Sequence, residues 1–275
     1  MPELPEVETV VRQLAESIAG SCVSEVLLRR GDLRTPFIKD FAMRVKGAKI
    51  KVVTRRAKYL LFTLDNKETI LAHLGMSGRF SVLAKVPKKY EKHDHVVFIL
   101  SDGRALIYND ARRFGVMDVV RTAEAEKHEL LYHLGPEPFS DEFNAKYLKA
   151  QLLRRKGPLK PVLMQQELVV GVGNIYASEA LFCAKIHPET AAHQVAAHAA
   201  TLVKCIREVL QSAINSGGSS LRDFVHVSGE AGYFQHQFNV YERGGEPCFR
   251  CGSGIMASRQ AGRSTFHCPS CQRKA

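Results

Sequence analysis

No run of this chain stays apolar for the length needed to cross a bilayer, because charged residues interrupt every candidate. Membrane insertion is therefore not expected. The first residues, Met1-Pro2-Glu3-Leu4-Pro5-Glu6, are acidic and punctuated by proline, and they lack the basic start and apolar middle of a secretory signal. These absences point to a soluble, cytoplasmic protein. Internal repeats and long low-complexity tracts are missing too. Cysteine is sparse, seven in 275 residues, and in that compartment thiols or metal ligands are expected rather than disulfides. Cys22, Cys183 and Cys205 stand singly in apolar surroundings and read as ordinary buried residues. Acidic charge is in deficit, with 28 Asp plus Glu against 39 Lys plus Arg and a formal net charge of +11. That excess chooses no fold, but it favours a polyanionic partner, of which nucleic acid is the commonest. A basic soluble enzyme without such a partner would have the same composition.

What is present suffices for two domains with real cores, since 45% of the residues are apolar. Leu4, Val7, Val11, Leu14 and Ile18 recur at helical spacing. Glu3, Glu6 and Glu8 lie near the positive end of that helix and Gly20 just past its finish. A long region of strand signals follows, among them Tyr59-Leu60-Leu61-Phe62-Thr63-Leu64 and Val96-Val97-Phe98-Ile99-Leu100. Asp65-Asn66 and Asp102-Gly103 supply turns. Short strands at close spacing predict an antiparallel sandwich or barrel. The texture then becomes helical over Asp141–Arg155, Lys160–Leu168, Asn174–Ala184 and Pro188–Ser216, broken at Gly171 and Gly173 and closed by Gly217-Gly218. The expected class is α+β: a sandwich domain over 1–122, a linker over 123–136, a helical domain over 137–218, a turn-rich connection over 219–245 and a finger over 246–275.

The finger rests on spacing. Cys248 and Cys251 form one pair, Cys268 and Cys271 another, each separated by two residues, with sixteen between the pairs. Two such knuckles supply four thiolates to one tetrahedral zinc ion, and a complete protein ligand set makes the metal structural. His267 adjoins a ligand, but four cysteines leave it no place. Arg259 and Arg263 lie between the knuckles on a segment that should form a hairpin. Either could offer a guanidinium to phosphate in fixed geometry, or simply be solvated.

At the other end, removal of Met1 would leave Pro2 with a secondary amine. An α-amino group has a pKa near ~8, so part of it is unprotonated and nucleophilic at neutral pH. Glu3 beside it could serve as acid or base. Proline and acidic residues are also plain helix starters, and local chemistry leaves both readings open.

Met1-Pro2-Glu3-Leu4-Pro5-Glu6-Val7-Glu8-Thr9 resembles the start of the bacterial formamidopyrimidine-DNA glycosylases. Arg55-Arg56-Ala57-Lys58-Tyr59-Leu60-Leu61, His73-Leu74-Gly75-Met76-Ser77-Gly78, Lys92-His93-Asp94-His95 and Arg112-Arg113-Phe114-Gly115 continue the likeness. His133-Leu134-Gly135-Pro136-Glu137-Pro138, Gly171 to Glu179 and the cysteine finger carry it to the end of the chain. The resemblance implies a base-excision repair enzyme that removes 8-oxoguanine and formamidopyrimidines from double-stranded DNA and then cleaves the strand by β- and δ-elimination. It implies Pro2 as nucleophile forming a Schiff base, Glu3 handling protons at the sugar, Lys58 near the damaged nucleotide, and Arg263 on the flanking phosphates. Met76, Arg112 and Phe114 would fill the space left by the everted nucleotide. Asn174, in a helix–two-turn–helix element, with Lys160, His93 and Arg155, would contact phosphate or groove. Ser219 to Tyr233 matches a loop that closes over the everted base.

Two departures stand out. Ala111 occupies a place where the family commonly has proline, and Ala257 to Gly262 differ from the usual finger. A monomer with one structural zinc and no nucleotide cofactor is expected. The alternatives are the related endonuclease of oxidised pyrimidines and an inactive zinc-finger protein that only binds damaged DNA.

Overall fold

The computed structural model describes residues 2–219, 227 and 232–274. The chain forms two compact units, Met1–Tyr132 with Gly217–Gly232, and His133–Ser216 with Tyr233–Ala275. Among the described residues no helix is long and apolar enough to cross a membrane.

The first unit opens with α1 (Leu4–Ile18), which carries proline in its first turn and buries Val7, Val10, Val11, Leu14 and Ile18 along one stripe. Then come β1 (Val23–Leu28), the short α2 (Phe41–Val45) and seven further strands. These are β2 (Ile50–Arg56), β3 (Tyr59–Leu64), β4 (Glu68–His73), β5 (Gly78–Leu83), β6 (Asp94–Leu100), β7 (Ala105–Asp110) and β8 (Val116–Arg121). They pair antiparallel into two four-stranded sheets, ordered β1-β6-β7-β5 and β2-β3-β4-β8. Val96, Phe98 and Leu106 of one sheet share a single core with Val53, Leu60 and Phe62 of the other and with the apolar stripe of α1. Along β3 every second residue is buried, as a half-covered sheet requires. The sandwich read from the strand signals is present.

In the second unit, Asn144 caps α3 (Ala145–Leu153) by accepting the Tyr147 amide at 3.0 Å. Next are α4 (Leu159–Leu163), α5 (Asn174–Cys183) and α6 (Ala199–Asn215), and the hairpin of β9 (Met256–Gln260) and β10 (Arg263–His267) closes the chain. Three helices are clearly shorter than their periodicity suggests, α3 keeping only Ala145–Leu153 of the expected Asp141–Arg155. α4 ends after one turn and its chain folds into the turn before Gly171, with the Leu168 and Val169 amides both bonded to the Gln165 carbonyl. The stretch from Pro188 begins with a separate 3₁₀ turn over Ala192–His198, and α6 proper starts only at Ala199.

A buried carboxylate fixes the approach to the finger. Glu179 of α5, 2% exposed, accepts the backbone amides of Asn239, Val240 and Tyr241 at 2.9–3.1 Å. Cys183 and Cys205 correct the reading of both as lone thiols: they are joined as a disulfide between α5 and α6. Residues 174–183 and 199–215 were each legible as helix, but one sequence does not show which faces meet.

Candidate active site and nucleic-acid interface

Pro2 and Glu3 are buried at the head of α1, Glu3 with only 3% exposure. Glu6, three residues on, turns back to accept the Glu3 amide at 2.8 Å, closing the first turn upon itself. Its other oxygen accepts the amide and hydroxyl of Ser219, at 2.8 and 3.0 Å. Gly218, at φ +77°, passes so close to Glu6 that a Cβ there would lie 3.1 Å from the carboxylate. Most of the segment Ser219 to Tyr233, which the sequence assigns to loop closure, lies outside the described residues.

Lys58 lies in the two-residue turn of the β2–β3 hairpin. Ala57 takes φ +54° there, and the lysine is 6% exposed. Arg55 fastens this turn from within, donating to the Ala57 carbonyl at 2.8 Å. The same guanidinium reaches Glu8 of α1 at 3.0 Å, and Glu8 is held below the usual carboxylate range: burial opposes this, but the hydrogen bonds from Arg55 and Arg12 prevail. One ion pair thus ties the helix bearing Pro2 and Glu3 to the hairpin bearing Lys58. His73, at the end of β4, has its pKa lowered to about 4 by burial and then by the charges of Lys58 and Arg34. Its neutral Nδ1 accepts the Gly75 amide at 3.0 Å, which shapes the turn before Met76.

Met76 and the Arg112–Phe114 segment lie on two loops that the fold brings into contact. Gly75, at φ +61°, presses against the backbone of Phe114 and Gly115, where any side chain would collide. Asp110, fully buried at the end of β7, holds both loops: it accepts the Ser77 hydroxyl at 2.6 Å and the Gly115 amide at 2.8 Å. Ser77 in turn accepts the Arg112 amide at 3.0 Å. Phe114 is 46% exposed, unusual for phenylalanine, and the Arg112 guanidinium lies 5.0 Å from its ring centre. Met76 is half-buried. His93 is half-buried, and its carbonyl accepts the Asp110 amide at 3.0 Å.

In the second unit, Gly171 takes φ +82° and donates its amide to Gln166 at 2.9 Å, so a side-chain amide shapes the glycine turn before α5. Asn174 begins that helix. Its Nδ2 donates to the Tyr241 hydroxyl at 3.4 Å, while its Oδ1 is buried with no partner among the described residues. Arg155 is half-buried and donates to the Gln151 carbonyl and side chain, both at 2.7 Å. Lys160, read from sequence as a phosphate contact, is 1% exposed. Its ammonium donates to the Ser264 carbonyl at 2.7 Å and the Thr265 hydroxyl at 2.8 Å. The lysine therefore grips the finger hairpin at the strand that begins with Arg263.

The hairpin turns through Ala261 and Gly262, both at positive φ, the conformation a two-residue turn needs to match strand twist. This leaves Arg263 exposed at the first position of β10. The sulfurs of Cys248, Cys251, Cys268 and Cys271 lie within 4.8 Å of one another and are able to hold a metal ion. The amides of Arg250 and Cys271 point at the sulfurs of Cys248 and Cys268, each at 3.4 Å. Hydrogen bonds from Ser253 bring Cys251 down to about 6, while burial and the neighbouring sulfurs push Cys271 up to about 12. His267 stays outside the set, facing His187 at 3.1 Å.

Asp110, Ser77, Glu6 and the Arg55–Glu8 pair were not singled out from sequence. Only Asp110 left a signal, a carboxylate ending an otherwise apolar strand.

Residues 1–117 match the formamidopyrimidine-DNA glycosylase N-terminal domain and residues 134–225 the formamidopyrimidine-DNA glycosylase H2TH domain. Proteins named formamidopyrimidine-DNA glycosylase from Roseobacter denitrificans and Ruegeria pomeroyi are 48% and 47% identical, over 99% of this chain and 100% of theirs. Among solved structures, Lactococcus lactis Fpg in complex with abasic-site DNA is 36% identical with a TM-score of 0.91, over 99% of this chain and 100% of that one. MutM (Fpg) from Thermus thermophilus is 38% identical with a TM-score of 0.89, over the full length of both. By sequence and fold along its whole length, this chain belongs to the formamidopyrimidine-DNA glycosylase family.

Proposed function

We propose that this protein is a base-excision repair enzyme, a glycosylase and AP lyase that removes oxidised purines, 8-oxoguanine and formamidopyrimidines, from double-stranded DNA through Pro2. The observation that carries this reading is the burial of Pro2 and Glu3 at the first turn of α1, a carboxylate 3% exposed next to a ring nitrogen. Relatives in complex with DNA containing Fapy-dG and abasic sites support the substrate class.

With Met1 removed, the Pro2 nitrogen attacks the sugar C1′ and the damaged base leaves. Glu3 gives a proton to the ring oxygen as it opens, and an iminium joins protein to DNA. The iminium acidifies the neighbouring sugar carbon, so the same bond serves β-elimination and then δ-elimination. Lys58, on the hairpin that the Arg55–Glu8 pair ties to α1, would place positive charge near the phosphates. The target nucleotide must first leave the stack. Exposed Phe114 with Met76 would occupy the gap, and Arg112 would face the unpaired cytosine. Asn174 and the glycine turn would receive one backbone phosphate at the start of α5, with Arg155, His93 and Arg263 on others. Lys160 would act by holding the hairpin that carries Arg263. Cys248, Cys251, Cys268 and Cys271 would bind one structural zinc, which stiffens the finger and takes no part in the chemistry.

Borohydride reduction during incubation with an 8-oxoguanine:C duplex tests the reading. A covalent protein–DNA adduct is expected, with none when the Pro2 nitrogen is blocked. Preferential trapping on a thymine glycol:A duplex would reassign the substrate to oxidised pyrimidines. No adduct on either would leave a DNA-binding protein without this chemistry.

A further inference from the structure

Cys183 ends α5 and Cys205 lies within α6, 22 residues further on, with Cα atoms 5.7 Å apart and the sulfurs bonded. That spacing is ordinary for a disulfide between packed elements. The two helices pack against one another, with Leu181 and Phe182 of α5 and Leu202 and Ile206 of α6 all buried. Cys183 is half-buried whereas Cys205 is 4% exposed, so an oxidant in solution reaches Cys183 first. Glu208, one turn past Cys205, sets a carboxylate oxygen 3.9 Å from the Cys183 sulfur. Neither cysteine belongs to the four-sulfur finger set.

We propose that Cys183 and Cys205 are a reversible oxidation site, a dithiol that a hydroperoxide closes into the disulfide. The Cys183 thiol loses its proton, with Glu208 as the nearby acceptor, and its sulfur attacks the peroxide oxygen. The O–O bond breaks, the alcohol or water leaves, and Cys183 becomes a sulfenic acid. The Cys205 thiol attacks that sulfur, the S–S bond forms and a second water leaves, so two thiols are oxidised and one peroxide is reduced. Reduction by a small dithiol reverses the step.

The bond staples the end of α5 to α6 one residue after Phe182, which packs in the same apolar cluster as Cys248 and Cys268. Closure therefore restrains the second unit at the helix that also supports the finger. It does so under conditions in which exposed thiolates are at risk.

Zinc-loaded, fully reduced full-length protein is titrated with hydrogen peroxide. Tryptic mapping, zinc release to a chromogenic chelator and thermal melting are followed together. The expected result is a cross-linked pair of peptides carrying Cys183 and Cys205, formed before zinc is released. The melting temperature should rise by on the order of 5 °C, and dithiothreitol should reverse both changes. Cys183→Ser should show neither, and Cys205→Ala should repeat that result at the buried position. Persistence of both thiols while the finger is oxidised would overturn the proposal, as would a cross-link with no change in melting. A second zinc per reduced chain, lost in Cys183→Ser, would also overturn it by making the cluster a metal site.

Discussion

Asp110 holds Gly115 by its amide at 2.8 Å from a position with no solvent exposure. Because the other carboxylate oxygen takes the Ser77 hydroxyl, one side chain sets the spacing of the loops that carry Met76 and Phe114. Asp110→Asn turns an acceptor into a partial donor facing donors, and the expected cost is about 2–4 kcal/mol by denaturant unfolding. In the surviving folded protein, fluorescence of 2-aminopurine placed beside an abasic site should show slower disruption of stacking. Unchanged kinetics would remove Asp110 from any role in arranging the loops.

A Cβ on Gly115 would run into the Tyr108 hydroxyl. Gly115→Ala is expected to destabilise by about 3 kcal/mol, and Tyr108→Phe in the same chain should recover about 1 kcal/mol or more. A double-mutant cycle by urea unfolding measures the coupling, and simple additivity would count against the contact.

The titration of His73 sets a window of acid sensitivity. Its folded-state pKa of about 4 lies below the ordinary histidine value, so between about pH 6.5 and 4 the unfolded chain binds more protons. Stability from this group is complete above about pH 6.5 and falls as pH is lowered towards about 4, by on the order of 3 kcal/mol in all. His73→Asn keeps an acceptor for the Gly75 amide and should flatten that part of the stability–pH curve.

Lys160→Met removes both donors to β10 while keeping most of the side-chain volume. The stranded Ser264 carbonyl and Thr265 hydroxyl should cost about 2–4 kcal/mol. If Lys160 serves to fix the hairpin, DNA affinity should fall together with amide-exchange protection in β9 and β10. Lost affinity with unchanged protection would return the lysine to direct phosphate contact.

Chelation of the metal, or Cys268→Ser, should unfold the finger and weaken DNA binding. Arg263→Ala should weaken it with the fold intact and reduce the slope of log affinity against log salt by about 1. Full binding by zinc-free protein would contradict the role given to the finger.

Much of this was legible in the chain. The apolar stripe of α1, the alternating strands and the cysteine spacing each report local geometry, and the structure realises them. The glycine at 75 marked a tight turn, but not that its missing side chain lets two distant loops touch. Asp110, Glu6 and Glu179 act through backbone amides far away in sequence, and no residue pattern announces such partners. Lys160 reads from sequence as a phosphate or groove contact because its acceptors, Ser264 and Thr265, lie more than a hundred residues further on. The Cys183–Cys205 bond, spanning only 22 residues, escaped because the sequence does not show which helix faces meet.

Glu6 divides its two oxygens between the backbone of Glu3 and the first residue after Gly218. Positions 3 and 219 are therefore joined through one carboxylate. Loss of the Glu6 carboxylate would release the helix head and residue 219 together. Engineers wishing to retune that segment would have to treat positions 6 and 219 as a single unit of inheritance, changing them together or not at all.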